Sequence, residues 1–405
     1  MNLTNLKSFL KFGYFIDYEN PTFGFDFSDV DRNKYILHSE KELIDTGHTH
    51  FIKAIQNKFS SSSKQYILLS GGLDSRFILA ALLEFTDASS LYTVTYGAPG
   101  TFDFELGNKT AKKLGTKHIA LPLTGLKYNL PDLIDTAHKF DLQTTLFYHP
   151  PIKHLNEYTS DGVIWSGFMG DPGAGSKLRI PHSENINEAA NYYIKKNTFS
   201  KTSKNIELFE EEIIPFLQMQ EGVTSQITLD EQLDFYNRQL KYIAPHVLYK
   251  GATFITPFLD ENYLSFILSL PDSLRINQSL FIKILICKYK KVFSIPVKNT
   301  FGNSLYASNF QINLSKSYLK IKSRFLPGTD PMTNYIDFKR ELVSNSSLKK
   351  IVFQLIIQLK DRSIINDIID IDVILKEYKR SVNDHETFLL LLASLEIMLI
   401  AGKKI

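Results

Sequence analysis

A serine, two glycines and an aspartate directly follow an apolar run in the stretch YILLSGGLDSRF, from Tyr66 to Phe77. The glycines, Gly71 and Gly72, let the backbone turn tightly and approach a ligand without a Cβ in the way. Backbone N–H groups at the start of the following helix would face that ligand, and with the helix dipole they favour an anion. The spacing predicts a phosphate-binding turn between a strand and a helix.

The polar side chains of this turn have two different tasks. The hydroxyl groups of Ser70 and Ser75 can donate to phosphate oxygens. A carboxylate repels phosphate, so Asp74 fits the turn only if it holds Mg²⁺, which then bridges to the phosphates. The pattern lacks the lysine of Walker loops and the glycine spacing of the dinucleotide fingerprint. A plain Gly-Gly turn that ends a strand is the alternative, which the complete signature disfavours.

The elements that would position this turn alternate between strands and helices. Strands are expected at QYILLS, LYTVTYG, KHIALPL and GVIWSG, and helices at DSRFILAALLEF and ELGNKTAKKLG, which ends at Gly115. Because continuous apolar strands alternate with helices, we predict an α/β fold with a parallel sheet and helices on both faces. A largely helical C-terminal half follows. We assign 1–38 to an irregular or β-containing lead-in, 39–184 to the α/β core and 185–405 to the helical remainder.

Composition and charge exclude several classes of protein. The 405 residues are 43% hydrophobic and 22% charged, as in globular proteins, and a net charge of +3 does not indicate a nucleic-acid partner. The longest apolar stretch, 388–401, is too short to span a bilayer and contains Glu396, so we expect a buried helix and no membrane span. The single cysteine, Cys287, excludes an internal disulfide framework and fits a cytoplasmic location.

The turn resembles the pyrophosphate-binding loop (PP-loop) of the ATP pyrophosphatases, which have an adenine nucleotide α-hydrolase-like fold and the signature Ser-Gly-Gly-x-Asp-Ser. Three later blocks follow it: WSGFMGDPGAGS at 165–176, TPFLD at 256–260 and FSIPVKNTFGN at 293–303. In this order and spacing they resemble the synthetase domain of the asparagine synthetase family, which includes β-lactam synthetase and the lasso-peptide cyclases. The resemblance implies that ATP is cleaved between the α and β phosphates.

The resemblance also assigns roles to matching residues. Asp74 and Asp171 match Mg²⁺ positions, and Lys298 matches a lysine that neutralises charge on the departing pyrophosphate, so we expect these three to be catalytic. Plain alternatives stay open: Asp171 fits a turn before Pro172, Lys298 a solvated loop, and Asp103, at another acidic position of the family, a helix N-cap. The residues expected to bind ATP are Leu68, Ser70, Gly71, Gly72, Asp74, Ser75, Thr95 and Gly167.

The half of the site that would hold the acceptor, which is the carboxylate that receives the adenylyl group, departs from the family. Phe168 occupies the position of the catalytic acid/base and cannot move a proton. Thr253 and Ile255 stand where the family has Glu and Arg, and Pro296 stands where it has another Arg. Candidates for a substitute base, which the sequence does not rank, are His182, Glu184 and Tyr242.

These observations favour an ATP-dependent ligase that adenylates a carboxylate, releases pyrophosphate and forms an amide with ammonia or an amine. Asn2 stands where glutamine-dependent members have a nucleophilic cysteine, so we expect free ammonia, an amine, or a separate glutaminase or biosynthetic partner to supply the nitrogen. With Arg76 directly after Asp74 and Ser75, the turn resembles that of family members that act on secondary metabolites and surface polysaccharides. This resemblance favours a small-molecule or glycan-precursor carboxylate as the substrate. The alternative, favoured by Phe168, is a nucleotide-binding regulatory or partner subunit with reduced catalysis.

Overall fold

The computed structural model of the protein describes residues 2–149, 152–325, 329–380 and 385–404. Five strands within these ranges form one sheet, in which every pairing is parallel and the order is β3-β2-β1-β4-β5. The α/β fold with a parallel sheet is therefore confirmed. The strands are β1 (Lys64–Leu68), β2 (Leu91–Gly97), β3 (Lys117–Pro122), β4 (Gly162–Trp165) and β5 (Phe254–Ile255).

The order of the strands determines where a ligand can bind. β1 lies in the centre, with β2 and β3 on one side and β4 and β5 on the other. In open parallel sheets, ligands bind outside the carboxyl ends of the strands at the point where the order reverses. The turn Ser70–Ser75 lies at this end of β1. The edge strand β5 was not predicted, since two residues carry no pattern and only pairing with β4 defines them.

Helices accompany the strands and then make up most of the second half, as predicted. Those in the first half are α1 (Leu3–Phe12), α2 (Glu40–Gln56), α3 (Asp74–Leu82), α4 (Phe102–Leu114), α5 (Leu130–Lys139), α6 (Ile152–Thr159) and α7 (Gly170–Gly173). Those in the second half are α8 (Ile186–Asn197), α9 (Glu210–Ile213), α10 (Leu229–Leu233), α11 (Ala244–Val247), α12 (Glu261–Leu268), α13 (Asp272–Arg275), α14 (Ser279–Lys288), α15 (Lys290–Phe293), α16 (Asn309–Phe325), α17 (Phe338–Ser344), α18 (Ser346–Asp361), α19 (Ile371–Lys379) and α20 (Glu386–Ile400). A π-helical segment, Asp234–Ile243, joins α10 to α11.

Alternate residues of β1 enter two different cores. Ile67 packs in a cluster with Phe51 of α2 and Phe77 of α3. Tyr66, its neighbour, belongs to a second cluster with residues of α20 such as Leu391. Helices therefore cover both faces of the sheet, as its apolar strands predict.

The structure corrects the description of the lead-in. Leu3–Phe12 forms a helix, capped by the side chain of Asn2, and the rest of 1–38 that is described is largely irregular. Leu6, Phe9 and Leu10 have the i, i+3, i+4 spacing of a buried helical face and enter the second core. Gly13 then ends the helix with a φ of +85°. The apolar spacing spans only Leu6 to Leu10, and the glycines and aromatic residues that surround it do not indicate a helix.

The buried C-terminal helix is confirmed. α20 is apolar on nearly every side, and its residues pack in the second core. Glu396 is buried there and accepts a hydrogen bond from Arg362 Nε at 2.7 Å, which explains how a carboxylate is tolerated. Among the described residues, no helix combines the length and the apolar character needed to cross a bilayer.

Candidate active site

The turn between β1 and α3 is held by its own serines. Ser75 Oγ accepts from the Ser70 N–H at 3.1 Å, and Ser70 Oγ accepts from the Gly72 N–H at 3.1 Å. The two hydroxyl oxygens are 3.3 Å apart, so one of them donates to the other and the second keeps its hydrogen for a ligand. Within the described chain no side chain caps the start of α3 at Leu73, so the first backbone N–H groups of this helix are available to an anion.

The two glycines of the turn serve different purposes. A Cβ on Gly71 would lie 2.7 Å from the backbone oxygen of Phe102, so Gly71 permits the turn to pack against the start of α4. Its N–H donates to Asp103 Oδ1 at 3.2 Å, and its carbonyl accepts from the Lys298 N–H at 2.8 Å. Gly72, in contrast, lines a cavity. Of the two glycines, Gly72 is therefore the one placed to let a ligand approach closely, and the binding of ATP by Gly71 and Gly72 stays a prediction.

Two carboxylates meet beside this turn. Asp74 Oδ1 is buried and has no hydrogen-bond partner in the part of the chain that the structure describes. Burial and then the nearby charge of Asp171 raise the pKa of Asp74 well above its usual value, and a hydrogen bond from the Asp171 backbone opposes this in part. A Cβ on Gly170 would lie 2.6 Å from Asp74 Cγ, so the glycine makes room for the carboxylate.

An orphaned carboxylate oxygen next to a second carboxylate fits Mg²⁺. A divalent cation would remove the repulsion between Asp74 and Asp171 and satisfy the buried oxygen. Within the described ranges, no cluster of three or more His, Cys, Asp or Glu side chains could hold a metal. Two carboxylates suffice for Mg²⁺, because this ion usually takes its other ligands from substrate phosphates and water.

A cavity of about 400 Å³ opens beside the turn. Its walls come from both halves of the chain, since the strand ends meet the π-helical segment and α11 there. The predicted site residues that line it are Leu68, Ser70, Gly72, Asp74, Ser75, Gly167 and Asp171. Three other predicted site residues do not line the cavity, namely Gly71, Thr95 and Lys298. Lining residues that sequence reasoning missed include Tyr96, Lys177, Arg238, His246, Tyr249 and Tyr335.

Lys298 is bound at the edge of the cavity. Its ammonium group contacts Asp103 Oδ2 at 2.6 Å and also Asn334 Oδ1, and both partners line the cavity. Only 17% of the Lys298 side chain is exposed, so a solvated loop lysine is the wrong description. The N-cap of α4 is Thr101, so Asp103 instead joins the turn, through Gly71, to the lysine. The backbone of Lys298 therefore contacts the turn directly, whereas its ammonium group is linked to the turn through Asp103.

Thr95 contacts the chain just beyond the carboxyl end of the central strand β1. Its hydroxyl donates to the carbonyl of Leu69 at 2.7 Å and is buried between β2 and α4. A Cβ on Gly107 of α4 would lie 2.6 Å from this oxygen. The side chain thus fixes the end of β1, and the expectation that the Thr95 backbone faces the adenine stays a prediction.

Comparison with known proteins adds independent evidence. The family model described as asparagine synthase matches residues 48–145, which include β1, the turn, β2 and α4. A probable glutamine-hydrolysing asparagine synthetase of Acanthamoeba polyphaga mimivirus is 24% identical over 250 residues, which are 60% of this chain and 39% of the viral protein. The chain is asparagine synthetase-like.

A second relative matches a shorter segment. A putative glutamine-hydrolysing asparagine synthetase 2 of Methanocaldococcus jannaschii is 34% identical over 67 residues, which are 16% of this chain and 13% of the archaeal protein. The asparagine synthetase-like chain therefore aligns with less than two fifths of the length of either relative.

Arg76 connects three parts of the site in this asparagine synthetase-like chain. Its guanidinium is fully buried and donates to backbone carbonyls: Pro296 at 2.7 Å, Leu106 at 3.2 Å, and Ser70 and Ile295 at 3.4 Å. Burial lowers the pKa of Arg76 to about 9. The cation thereby links the phosphate turn, α4 and the loop that carries Lys298. Local sequence could not predict this contact, since the carbonyls lie up to 220 residues away.

The candidate bases of the asparagine synthetase-like chain are not where they were expected. Phe168 lines the cavity and is only 4% exposed, so an apolar ring occupies that wall. His182 pairs with Asp272 at 2.6 Å outside the cavity, and neither Glu184 nor Tyr242 lines it. His246 does line it. The only local signal was its position, shortly before the TPFLD block.

Proposed function

We propose that the protein is an ATP-dependent ligase that adenylates a substrate carboxylate, releases pyrophosphate and forms an amide with ammonia or an amine. The observation that carries this proposal is the unpartnered Asp74 Oδ1 beside Asp171, at a cavity next to an uncapped helix start. This arrangement suits a phosphate chain together with a cation. Asp74 and Asp171 would hold Mg²⁺, which would supply positive charge to neutralise the phosphates.

The residues of the chain would share the remaining work. The N–H groups at the start of α3 and the free hydroxyl hydrogen of the serine pair would hold the pyrophosphate. Lys298 would leave Asp103 and neutralise charge on the departing pyrophosphate. Phe168 and Met169 would exclude water from the acyl-adenylate.

Positively charged side chains that line the cavity support an anionic carboxylate substrate. Arg238 and Lys177 line the cavity, and neither forms an ion pair with any residue that the structure describes. Unpaired cations in a cavity favour a carboxylate or another anionic group on the substrate. This supports a small-molecule or glycan-precursor acid. We also propose a cytoplasmic location, because the exposed thiol of Cys287 fits a reducing compartment.

One observation favours a second function. Phe168 fills the wall where a proton-transferring group is expected, so the chain could bind a nucleotide as a regulatory or partner subunit without full catalysis. The lysine contact to Asp103 and the two carboxylates favour the ligase, since a binding module has no need of them.

Exchange of labelled pyrophosphate into ATP separates the two functions. The purified chain with Mg·ATP is tested against a panel of mono- and dicarboxylates and uronic acids, and AMP and pyrophosphate are then measured with ammonium added. The ligase predicts exchange with at least one acid, and AMP as the product. ADP formation, or tight ATP binding with no exchange on any acid, would contradict it. The matched control is Asp74→Asn, which should show no exchange.

A further inference from the structure

The cavity wall contributed by the helical half contains one neutral imidazole. His246 lies on α11, and its Nδ1 is 2.8 Å from the backbone carbonyl of Tyr242. A carbonyl only accepts, so Nδ1 carries the hydrogen. In a neutral ring the other nitrogen, Nε2, then has a free lone pair.

Packing fixes the orientation of this ring. His149 stacks on His246 with the ring centres 3.7 Å apart and the planes 25° from parallel, and the edge of Phe140 contacts both. Both nitrogens of His149 are buried and make no hydrogen bond of normal geometry within the described chain, although the backbone of Thr145 lies close enough to favour the protonated ring in part. The ring of His149 therefore supports the face of the His246 ring. The hydrogen bond to the Tyr242 carbonyl then fixes which edge of the His246 ring carries Nδ1.

The surrounding groups keep both rings neutral. Burial and then the charge of Arg238 lower the pKa of His246 to about 3, while the Tyr242 carbonyl opposes this shift. Burial and then His246 lower the pKa of His149 well below its usual value. The charged and titratable groups that face His246 are thus Arg238, Tyr242 and His149.

The other titratable groups of the wall are committed elsewhere. Asp74 and Asp171 form the candidate Mg²⁺ site, and Asp103 binds Lys298. The hydroxyl of Tyr249 donates to Asn156. The hydroxyls of Tyr96 and Tyr335 hydrogen-bond to each other. Among the described titratable residues that line the cavity, His246 is the neutral nitrogen base with a free lone pair.

We propose that His246 Nε2 accepts the proton that the attacking ammonia or amine loses, in place of a base at position 168. The inference rests on the proposed function. The lone pair of the nitrogen forms a bond to the acyl carbon, the bond from that carbon to the AMP oxygen breaks, and its electron pair leaves with AMP. One N–H proton passes to Nε2, and the imidazolium later returns it to solvent.

A weakly basic imidazole is adequate for this step. The nitrogen becomes positively charged as it bonds to the acyl carbon, and it is then far more acidic than free ammonium. An anionic substrate next to Arg238 would also offset the charge that holds the pKa of His246 down. The base would therefore become stronger when the acceptor side of the cavity is filled.

The test separates adenylation from amide formation in the His246→Gln variant. We expect pyrophosphate exchange within about threefold of the wild type, and amide formation from ammonium reduced by about 100-fold or more. The matched control is His149→Phe, which keeps a flat ring in the stack and should retain amide formation within about threefold. Equal losses in exchange and amide formation, or retained amide formation, would overturn the inference.

Hydroxylamine supplies a second readout that a structural defect would not change. Its nitrogen is less basic than ammonia, so its adduct loses a proton to water readily. Hydroxamate formation by His246→Gln should fall at least about tenfold less than amide formation. Equal falls would contradict a proton-accepting role. An absence of exchange in the wild type would overturn the proposed function and this inference together.

Discussion

At the scale of single residues, Arg76 is the clearest case of a charge held only by backbone dipoles. Four carbonyls surround its buried guanidinium, and the nearest charge that favours the cation is Asp103. Lysine could not reach these acceptors at once, because an ammonium lacks the planar set of donors. Its role is therefore to position the phosphate turn against the loop of Lys298.

Removing this cation should destabilise the fold. Arg76→Met leaves buried carbonyls without donors, and we expect the free energy of unfolding to fall by about 2–4 kcal/mol. Urea unfolding followed by circular dichroism measures the change. The matched control is Arg340→Met, at an exposed position, which should stay within about 0.5 kcal/mol. A change at Arg76 no larger than that of the control would contradict the role.

Lys298 makes a second prediction at this scale. In Lys298→Ala, turnover should fall by about 100- to 1,000-fold because charge on pyrophosphate is no longer neutralised. ATP affinity by calorimetry should stay within about threefold, since the turn itself is unchanged. Lys283→Ala is the matched control, as this lysine forms an exposed ion pair with Glu40. If the Lys298 variant remains active, the assignment of its loop is wrong.

At the scale of elements, the turn between β1 and α3 shows which features a sequence can reveal. Strands β1 to β4 and the end of α4 were predicted because local residues determine them; Gly115, for example, ends α4 with a φ of +83°. Contacts across the chain were not. The Arg76–Pro296 hydrogen bond, β5 and the place of His246 depend on how distant segments meet.

The two glycines of this turn should respond differently to alanine. Gly71→Ala places a Cβ 2.7 Å from the backbone oxygen of Phe102, so we expect a loss of about 1–3 kcal/mol in stability. Gly72→Ala meets only the side chain of Ser70, at 3.3 Å, so the fold should persist while ATP binding weakens at the cavity. Thermal unfolding with and without Mg·ATP measures both. The reverse ranking would contradict the assignment.

At the scale of the whole molecule, the metal-free site should make stability depend on pH. The pKa of Asp74 is raised in the folded chain, so the protonated form is favoured by folding. Its contribution is complete below the ordinary carboxyl pKa of about 4 and is lost as the pH rises through the folded value. The carboxylates at this cavity therefore weaken the metal-free protein near neutral pH.

Asp74→Asn tests this dependence directly. The metal-free variant should be more stable than the metal-free wild type at pH 7, and the difference should shrink as the pH falls from the raised folded pKa of Asp74 toward about 4. Turnover should fall by about 100-fold or more, because the Mg²⁺ site has lost a ligand. Urea unfolding from pH 4 to 8 with a chelator measures the stability. Equal pH profiles for the two proteins would show that Asp74 titrates normally.

The long reach of Arg76 has a consequence for how the protein is made. Two of its carbonyl partners lie 219 and 220 residues further along the chain. A ribosome-bound chain that has emerged only to residue 184 already contains the phosphate turn, but it lacks the carbonyls that hold the cation and the lysine loop that closes over Gly71. We therefore expect the proposed nucleotide binding to be acquired late in synthesis, after the helical half has emerged.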